Sequence, residues 1–177
     1  MEEQKDRWLN YLAAITVLLA LGATLSTLRV GSYSNRSILR QTQASNQWAY
    51  FQAKSIKSYL YELQKEKLEM ELKQMPATAS QEARKEYEKK IESYDKKLKT
   101  YEEEKAAIQR EARTLESQRD VAVLHSQAFG IAVILLQLSI LLSSIAALMK
   151  KKMVWYLGLV LGAVGVVYFA NGFWLFV

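Results

Sequence analysis

The side chains that most often carry out chemistry are scarce in this sequence of 177 residues. It contains no cysteine and a single histidine, His125. Disulfides, thiolate metal sites and cysteine catalysis are therefore excluded, and one histidine without further ligands does not make a metal site. We interpret His125 as a structural residue, and we expect the chain to contain no catalytic, cofactor-binding or metal-binding residue.

The acidic run Glu102–Glu104 and the glycines do not form a ligand-binding motif either. A calcium-binding loop needs a glycine at its sharp turn, and no glycine lies near this run. All the glycines lie in or beside apolar segments, so no polar loop is available to cradle a phosphate group. The sequence therefore predicts a protein that is not an enzyme.

The charged residues argue against binding of nucleic acid. The net charge is +6, from 24 lysines and arginines and 18 acidic residues. The two signs are interleaved along the chain, whereas a nucleic-acid surface needs a patch of one sign. We expect no nucleic-acid partner.

Three apolar segments determine where the other residues are positioned. They are residues 8–28, 128–149 and 153–177, and the last two are separated by Lys150–Lys152. Each is long enough to cross a hydrocarbon core of about 30 Å as a helix. None of them contains an acidic residue, a lysine or an arginine. The sequence therefore predicts an integral membrane protein whose first partner is the lipid bilayer.

The polar middle of the chain begins with a segment that has the periodicity of a helix. No proline or glycine interrupts residues 36–74, and apolar residues recur there at steps of three and four, which indicates an amphipathic helix. The apolar positions are Ala49, Ala53, Ile56, Leu60, Leu63 and Met70. We expect a short break or kink at Gly31–Ser34, with Asn35 as a candidate cap for a new helix. We expect a turn around Pro76, because proline breaks a helix that runs through it.

The segment after Pro76 carries a heptad pattern. Apolar residues alternate steps of three and four over about five repeats, which is typical of a coiled coil. The main positions of this seam are Tyr87, Ile91, Tyr94, Leu98, Tyr101, Ile108 and Leu115. Thr78 and Gln81 have the spacing of a capping box, so we expect this helix to start near Ala79. Two helices of matched length that meet at one turn predict an antiparallel hairpin.

These patterns together predict an all-α fold. We expect three transmembrane helices, with a long antiparallel coiled-coil hairpin between the first and the second. The predicted segments are 1–30 for the first transmembrane helix, 31–75 and 76–122 for the two hairpin helices, 123–149 for the second transmembrane helix and 153–177 for the third.

The third apolar segment carries glycines at a spacing that favours close helix packing. Gly158 and Gly162 form a GxxxG motif, and Gly165 follows. Small residues let helices approach closely in lipid, where no hydrophobic force drives their association. The motif fits a contact between copies of the chain and, equally, packing against the other two spans. We expect these glycines and the heptad seam to form an oligomer or helix-packing interface.

An aromatic cluster lies among amides in the first hairpin helix. Trp48, Tyr50 and Phe51 are close to the expected membrane surface. One interpretation is a membrane-proximal docking patch for a partner. The other, which we favour, is that these aromatic residues rest at the lipid boundary and pack on the start of the second span.

The stretch around these aromatics, Ala44–Lys57, resembles one found in a bacterial membrane family known as domain of unknown function 4337. The chain is similar to that family also in its N-terminal span, its charged helical hairpin and its last two spans, joined by a basic turn at Lys150–Trp155. The resemblance covers nearly the whole chain and implies a location in a bacterial or archaeal membrane. It implies no activity, so no catalytic residue carries over.

The short lysine turn predicts how the chain is oriented. The positive-inside rule places Lys150–Lys152 in the cytoplasm. The N-terminus, with Lys5 and Arg7, would lie on the same side, and the hairpin would lie in the periplasm, outside a bacterial inner membrane. Arginines that flank the hairpin favour the opposite orientation, but a segment of about 90 residues is long enough to be translocated despite its charge.

The function that these features predict is that of a non-enzymatic membrane scaffold or accessory subunit. We expect it to self-associate as a homo-oligomer through its coiled-coil hairpin and its glycine-bearing third span, alone or within a larger membrane complex. The alternative is a subunit of an oligomeric channel or small transporter, in which several copies would be needed to enclose a pore. Ion flux in liposomes separates the two hypotheses.

Overall fold

The computed structural model describes residues 3–76 and 78–176, with side chains from residue 7 onward. This part of the chain forms three helices, α1 (Glu3–Gln74), α2 (Gln81–Met149) and α3 (Lys152–Trp174), and it contains no strand. The prediction of an all-helical chain is confirmed. Each of the three helices is long and apolar enough to cross a membrane, judged by length and composition.

Helix α1 is continuous over 72 residues. The predicted break at Gly31–Ser34 and the predicted cap at Asn35 are therefore wrong. The hydroxyl groups of Ser34 and Ser126 lie 2.9 Å apart and link α1 to α2 at this level. A glycine inside a helix costs only about 1 kcal/mol relative to alanine, and the continuous helix accommodates it.

The turn between α1 and α2 lies at Pro76, as predicted, but its cap differs from the predicted one. The Oγ of Ser80 accepts a hydrogen bond from the backbone N–H of Ala83 at 3.2 Å, so Ser80 caps the first turn of α2. The predicted capping box at Thr78 is wrong, and the helix begins at Gln81, two residues after the predicted start near Ala79.

Side-chain and backbone hydrogen bonds close both turns of the chain. At the first turn, Nη2 of Arg84 donates to the backbone carbonyls of Met75 and Pro76, each at 3.1 Å. At the second, Lys150 has a φ of 52° in the left-handed region. The N–H groups of Lys150 and Lys151 bond to carbonyls in the last turn of α2 at 3.3 and 3.2 Å, which ends the helix with satisfied backbone groups.

The chain divides into two compact units. We call the first the three-helix unit; it consists of residues up to Leu39 and from Gln118 onward. We call the second the helix pair; it consists of Arg40–Ser117. Helices α1 and α2 contribute to both units, and α3 contributes to the three-helix unit alone.

The three-helix unit has small polar side chains inside and large apolar side chains on its surface. Ser26, Ser139 and Ser143 are fully buried. Leu18 and Leu148, in contrast, are 66% and 86% exposed, and many other leucines and valines of the three helices are also exposed. A water-soluble protein buries most of its large apolar side chains. The observed distribution is the one expected of helices surrounded by lipid.

Two small apolar clusters hold the interior of the three-helix unit together. They join residues from distant parts of the sequence, and their buried members are Trp8, Leu12, Ala146 and Trp155 in one cluster and Leu19, Ala23 and Leu136 in the other.

In the helix pair, α1 and α2 run antiparallel and are linked by ion pairs. Lys65 of α1 lies 2.6 Å from Asp95 of α2, and Lys54 pairs with Glu104. The contact positions thus advance along α1 as they move backwards along α2. This arrangement fixes which side of each helix is covered.

Candidate functional site

The glycine side of α3 packs against the other helices of the three-helix unit. Gly158, Gly162 and Gly165 are all buried. A Cβ atom added at Gly162 would lie 2.7 Å from Oγ of Ser139, and one at Gly165 would lie 3.0 Å from the side chain of Leu136. Packing within one chain accounts for these contacts. Association of copies through the same glycines stays a prediction.

Ser139 is the polar link in this contact. Its hydroxyl donates a hydrogen bond of 2.6 Å to the backbone carbonyl of Gly158, and its side chain is fully buried. Because Gly158 has no side chain, the backbone of α3 comes close enough for this bond. Interhelical hydrogen bonds of this kind in lipid are worth about 0.6 kcal/mol on average, with a maximum of about 1.7.

An aromatic cluster near the end of α3 was missing from the sequence predictions. Phe129 is fully buried, and the ring centroids of Tyr33, Phe169 and Phe173 lie 5.9, 5.9 and 5.0 Å from its own. Gly172 makes room for it, because a Cβ atom there would lie 2.7 Å from the ring. The members come from three helices that are far apart in the sequence, so no local spacing could have indicated the cluster.

His125 is part of this aromatic cluster. Its Nδ1 lies 2.8 Å from the carbonyl oxygen of Gly172, and its ring stacks on Tyr33 with centroids 4.5 Å apart. Nearby, the guanidinium group of Arg29 lies 5.4 Å from the centroid of the Phe173 ring. These contacts join α1, α2 and α3, which fits the structural role expected for the histidine.

The predicted seam residues of α2 all lie on its buried or half-buried side within the helix pair. They are Tyr87, Ile91, Tyr94, Leu98, Tyr101, Ile108 and Leu115. Tyr61 of α1 packs between two of them, with ring centroids 5.4 Å from Tyr94 and 5.6 Å from Tyr101. Only Ile108, with 7% exposure, counts among the buried residues. This seam therefore packs against α1 of the same chain, and its use between copies stays a prediction.

Two lysines of α1 provide the charged links across the helix pair. The Nζ of Lys54 pairs with Glu104 and lies 5.2 Å from the ring centroid of Tyr101. The hydrogen bond to Glu104 raises the pKa of Lys54 above its ordinary 10.5, and the hydrogen bond to Asp95 likewise raises the pKa of Lys65. Both lysines therefore stabilise the fold below pH 10.5, and this contribution is lost as the pH rises through the raised pKa.

The predicted docking residues Trp48, Tyr50 and Phe51 do not share one surface. The Nε1 of Trp48 donates a hydrogen bond of 2.8 Å to Glu116 of α2, and its ring meets that of Phe51 edge-on at 5.7 Å. Both residues are half-buried. Tyr50, in contrast, is 51% exposed. Trp48 therefore links α1 to α2, Phe51 packs beside it on α1, and Tyr50 faces outward.

Comparison with known protein families identifies the chain. The model of a family described as domain of unknown function 4337 matches residues 8–175. The chain belongs to this family. The match includes the stretch Ala44–Lys57 that carried the resemblance, which is thereby confirmed. No curated protein and no solved structure matches the chain.

In this member of the 4337 family, the apolar side predicted for the polar part of α1 faces outward from the helix pair. We call these residues the outer stripe; they are Ala49, Ala53, Ile56, Leu60, Leu63 and Met70. All six are exposed, and the four large side chains are between 56% and 61% exposed. The side of α1 that meets α2 instead uses small residues such as Ala44 and Ser58, which are 1% and 4% exposed.

These surfaces offer packing and ion pairing. Within the residues that the structure describes, no group of three or more histidine, cysteine, aspartate or glutamate side chains is placed to hold a metal ion. The glycine side of α3 and the seam of α2 are each covered by another helix of the same chain. Among the residues that the structure describes, the outer stripe is the apolar surface of the helix pair that no other helix covers.

Proposed function

We propose that this chain is a membrane-anchored, non-enzymatic scaffold or accessory subunit that self-associates through its helix pair. Three transmembrane helices would anchor it, and the helix pair would form an antiparallel coiled-coil hairpin outside the lipid. The observation that carries the proposal is the contrast between the two units, one with an apolar exterior and the other with a charged exterior.

The exterior of the three-helix unit supports anchoring in a bilayer. Exposed leucine and valine side chains surround an interior of serines and glycines. Exposure of so many large apolar side chains to water would promote aggregation, whereas lipid is an apolar solvent for them. The hydroxyls of Ser26 and Ser139 donate hydrogen bonds to the backbone carbonyls of Gly22 and Gly158, which keeps these polar groups paired inside the unit and away from lipid.

The orientation that we propose follows from the basic turn. Lys150–Lys152 would lie in the cytoplasm, together with the N-terminus, and the helix pair would lie in the periplasm of a bacterium. Exposed lysines at the start of α3 suit a position beside anionic lipid headgroups.

Self-association is proposed for the helix pair because the glycine side of α3 already packs within the chain. Only Ile108 of the seven seam residues is buried, so an isolated pair of helices has little apolar burial, and neighbouring copies would add to it. The contacts within the chain thus leave the charged, exposed faces and the outer stripe for partners.

The proposal is tested by the mass of the protein extracted from membranes in a mild detergent. Light scattering with separate detection of protein and detergent should give at least twice the chain mass of 20.3 kDa. A mass of one chain over the whole accessible concentration range would contradict self-association. Reconstitution in liposomes provides the second measurement, because ion flux that depends on the protein would favour a channel subunit instead of a scaffold.

A further inference from the structure

The outer stripe is where the exposed apolar surface of the helix pair is concentrated. Within residues 40–117, the large apolar side chains that are more than half exposed all belong to α1. Four of them are the large residues of the outer stripe, and the other two, Tyr50 and Tyr59, flank it on either side of the helix. The outward side of α2 carries charged and small residues instead. Contiguous exposed apolar surface of this kind marks an interaction site.

The spacing of the stripe is that of a supercoiled helix contact. From Asn46 through the six stripe residues, with Lys67 before the last of them, the steps alternate between three and four without interruption. A straight α-helix drifts by about 20° per heptad away from such a line. The line stays on one side of α1 when the helix is supercoiled, and α2 covers the opposite side, so the stripe has the spacing of a further helix contact.

We propose that the outer stripe binds the outer stripe of a second copy of this chain, in a parallel and in-register coiled coil of two α1 helices. This inference rests on the proposed function, because copies inserted in one membrane share one orientation and so present α1 helices that run in the same direction. A two-fold contact between identical stripes closes on itself and leaves no further stripe exposed.

The polar residues along the stripe suit this pairing. Asn46 and Lys67 occupy positions of the same heptad type, and a polar residue at such a position sets the register and the number of helices in a coiled coil. Each would meet its own counterpart in the second copy. Glu66 and Glu71 flank Lys67, so the lysines of the two copies would lie among carboxylates at this level, and Nζ of Lys67 already lies 3.7 Å from Glu71 within the chain.

The residues beside the stripe argue against a lipid surface as its occupant. A helix that lies on a membrane surface carries lysine and arginine along the borders of its apolar side. The border positions here include Gln52, Tyr59, Gln64, Glu66 and Glu71, and Lys57 is their one basic residue. A border with a single lysine and two glutamates suits a protein contact better than anionic headgroups.

Disulfide cross-linking in native membranes tests the pairing, because the chain has no cysteine of its own. Single-cysteine variants of the full-length chain, Ala53→Cys, Leu60→Cys and Met70→Cys, should each form a covalent dimer under mild oxidation. Only parallel, in-register helices bring identical residues together at all three levels. Antiparallel helices would join identical residues at one level only, and that result would overturn the proposal.

Two exposed positions away from the stripe provide matched controls. Glu62→Cys, on the same helix as the stripe, and Ser93→Cys, on the outward side of α2, should give several-fold less dimer than the stripe variants. Equal cross-linking at stripe and control positions would reflect random collisions and would overturn the proposal. A cross-linked product whose mass is not that of two chains would identify a different protein as the occupant.

The mass of the unmodified protein separates failure of this inference from failure of the proposed function. If the wild-type chain is oligomeric in detergent but the stripe variants do not cross-link, the copies associate through another surface and only the present inference is wrong. If the wild-type chain is a monomer, self-association itself is wrong.

Discussion

Replacement of Gly162 by alanine tests whether the glycine side of α3 packs within the chain or between copies. An added Cβ atom would lie 2.7 Å from Oγ of Ser139 and 3.2 Å from Cδ2 of Leu19. Favourable contacts lie at about 3.5–4.0 Å. The leucine methyl group is the end of a flexible side chain and can move. The serine is held in place, because it is fully buried and bonded to the carbonyl of Gly158.

The size of the expected loss of stability follows from this geometry. The contact with Ser139 must open by nearly 1 Å, and overpacking of a tight core costs about 1–3 kcal/mol. For a chain of this size, each kcal/mol lowers the Tm by about 2–4 °C. We therefore expect Gly162→Ala to lower the Tm by about 2–12 °C.

A double-mutant cycle identifies the contact that is responsible. Ser139→Ala alone should cost about 0.6–1.7 kcal/mol, because it removes the hydrogen bond to the Gly158 carbonyl. It also removes the atom that the new Cβ would strike. The double variant should therefore be less destabilised than the sum of the two single variants, with a coupling of about 1 kcal/mol or more.

Thermal unfolding in detergent, followed by circular dichroism, measures the stability of each variant, and light scattering measures the mass. The packing described here predicts a lower Tm, coupling to Ser139 and an unchanged mass for Gly162→Ala. A smaller mass with an unchanged Tm would refute the reasoning, since it would mean that the glycine joins separate copies.

Further predictions concern the aromatic cluster, the charged links and the outer stripe. Gly172→Ala should lower the Tm because its Cβ would strike a buried phenylalanine ring at 2.7 Å, whereas Gly130→Ala, with open space around it, should leave the Tm unchanged or raise it; equal effects would contradict this packing. Above pH 10.5 the wild-type chain should lose stability more steeply than Lys54→Met, because the raised pKa of this lysine makes its contribution vanish there; parallel pH profiles from thermal unfolding would contradict the assignment. Leu63→Lys should lower the oligomer mass in light scattering at micromolar concentration, while Ser93→Lys should not; loss in both or in neither would count against the outer stripe.

Much of the fold follows from local patterns in the sequence. Helix length, the turn at Pro76 and the buried side of α2 all depend on periodicity and on proline, which act over a few residues. The seam from Tyr87 to Leu115 was assigned correctly to one side of α2 because its apolar residues stand alone among charged ones. The predicted break at Gly31–Ser34 failed because a glycine in a helix interior costs only about 1 kcal/mol, which a continuous helix of 72 residues tolerates.

The covered side of α1 could not be predicted from its hydrophobicity. The helix has its stronger apolar pattern on the outer stripe, and its inner side is built from Ala44, Ser58 and the lysines Lys54 and Lys65. Alanine and serine allow close approach, and lysines are stable there only because Glu104 and Asp95 face them from α2. The sequence contains both members of each ion pair but does not show which lysine pairs with which carboxylate.

The aromatic cluster around Phe129 could not be predicted from the sequence for the same reason. Its members, from Tyr33 to Phe173, are brought together by the packing of three helices. The room made for the phenylalanine ring by Gly172 is likewise visible only once α2 and α3 are in contact. Tertiary contacts between distant residues carry no short-range signal in the chain.

The central claim is that the exposed apolar surface of the three-helix unit faces lipid while the helix pair faces water. Labelling of single-cysteine variants in intact membranes with a polar maleimide measures this directly. Ser93→Cys should react rapidly. Val160→Cys should remain unlabelled until the membrane is dissolved, even though Val160 is 63% exposed in the folded chain. Equally rapid labelling at both positions before the membrane is dissolved would show that this surface faces water, and would contradict the account.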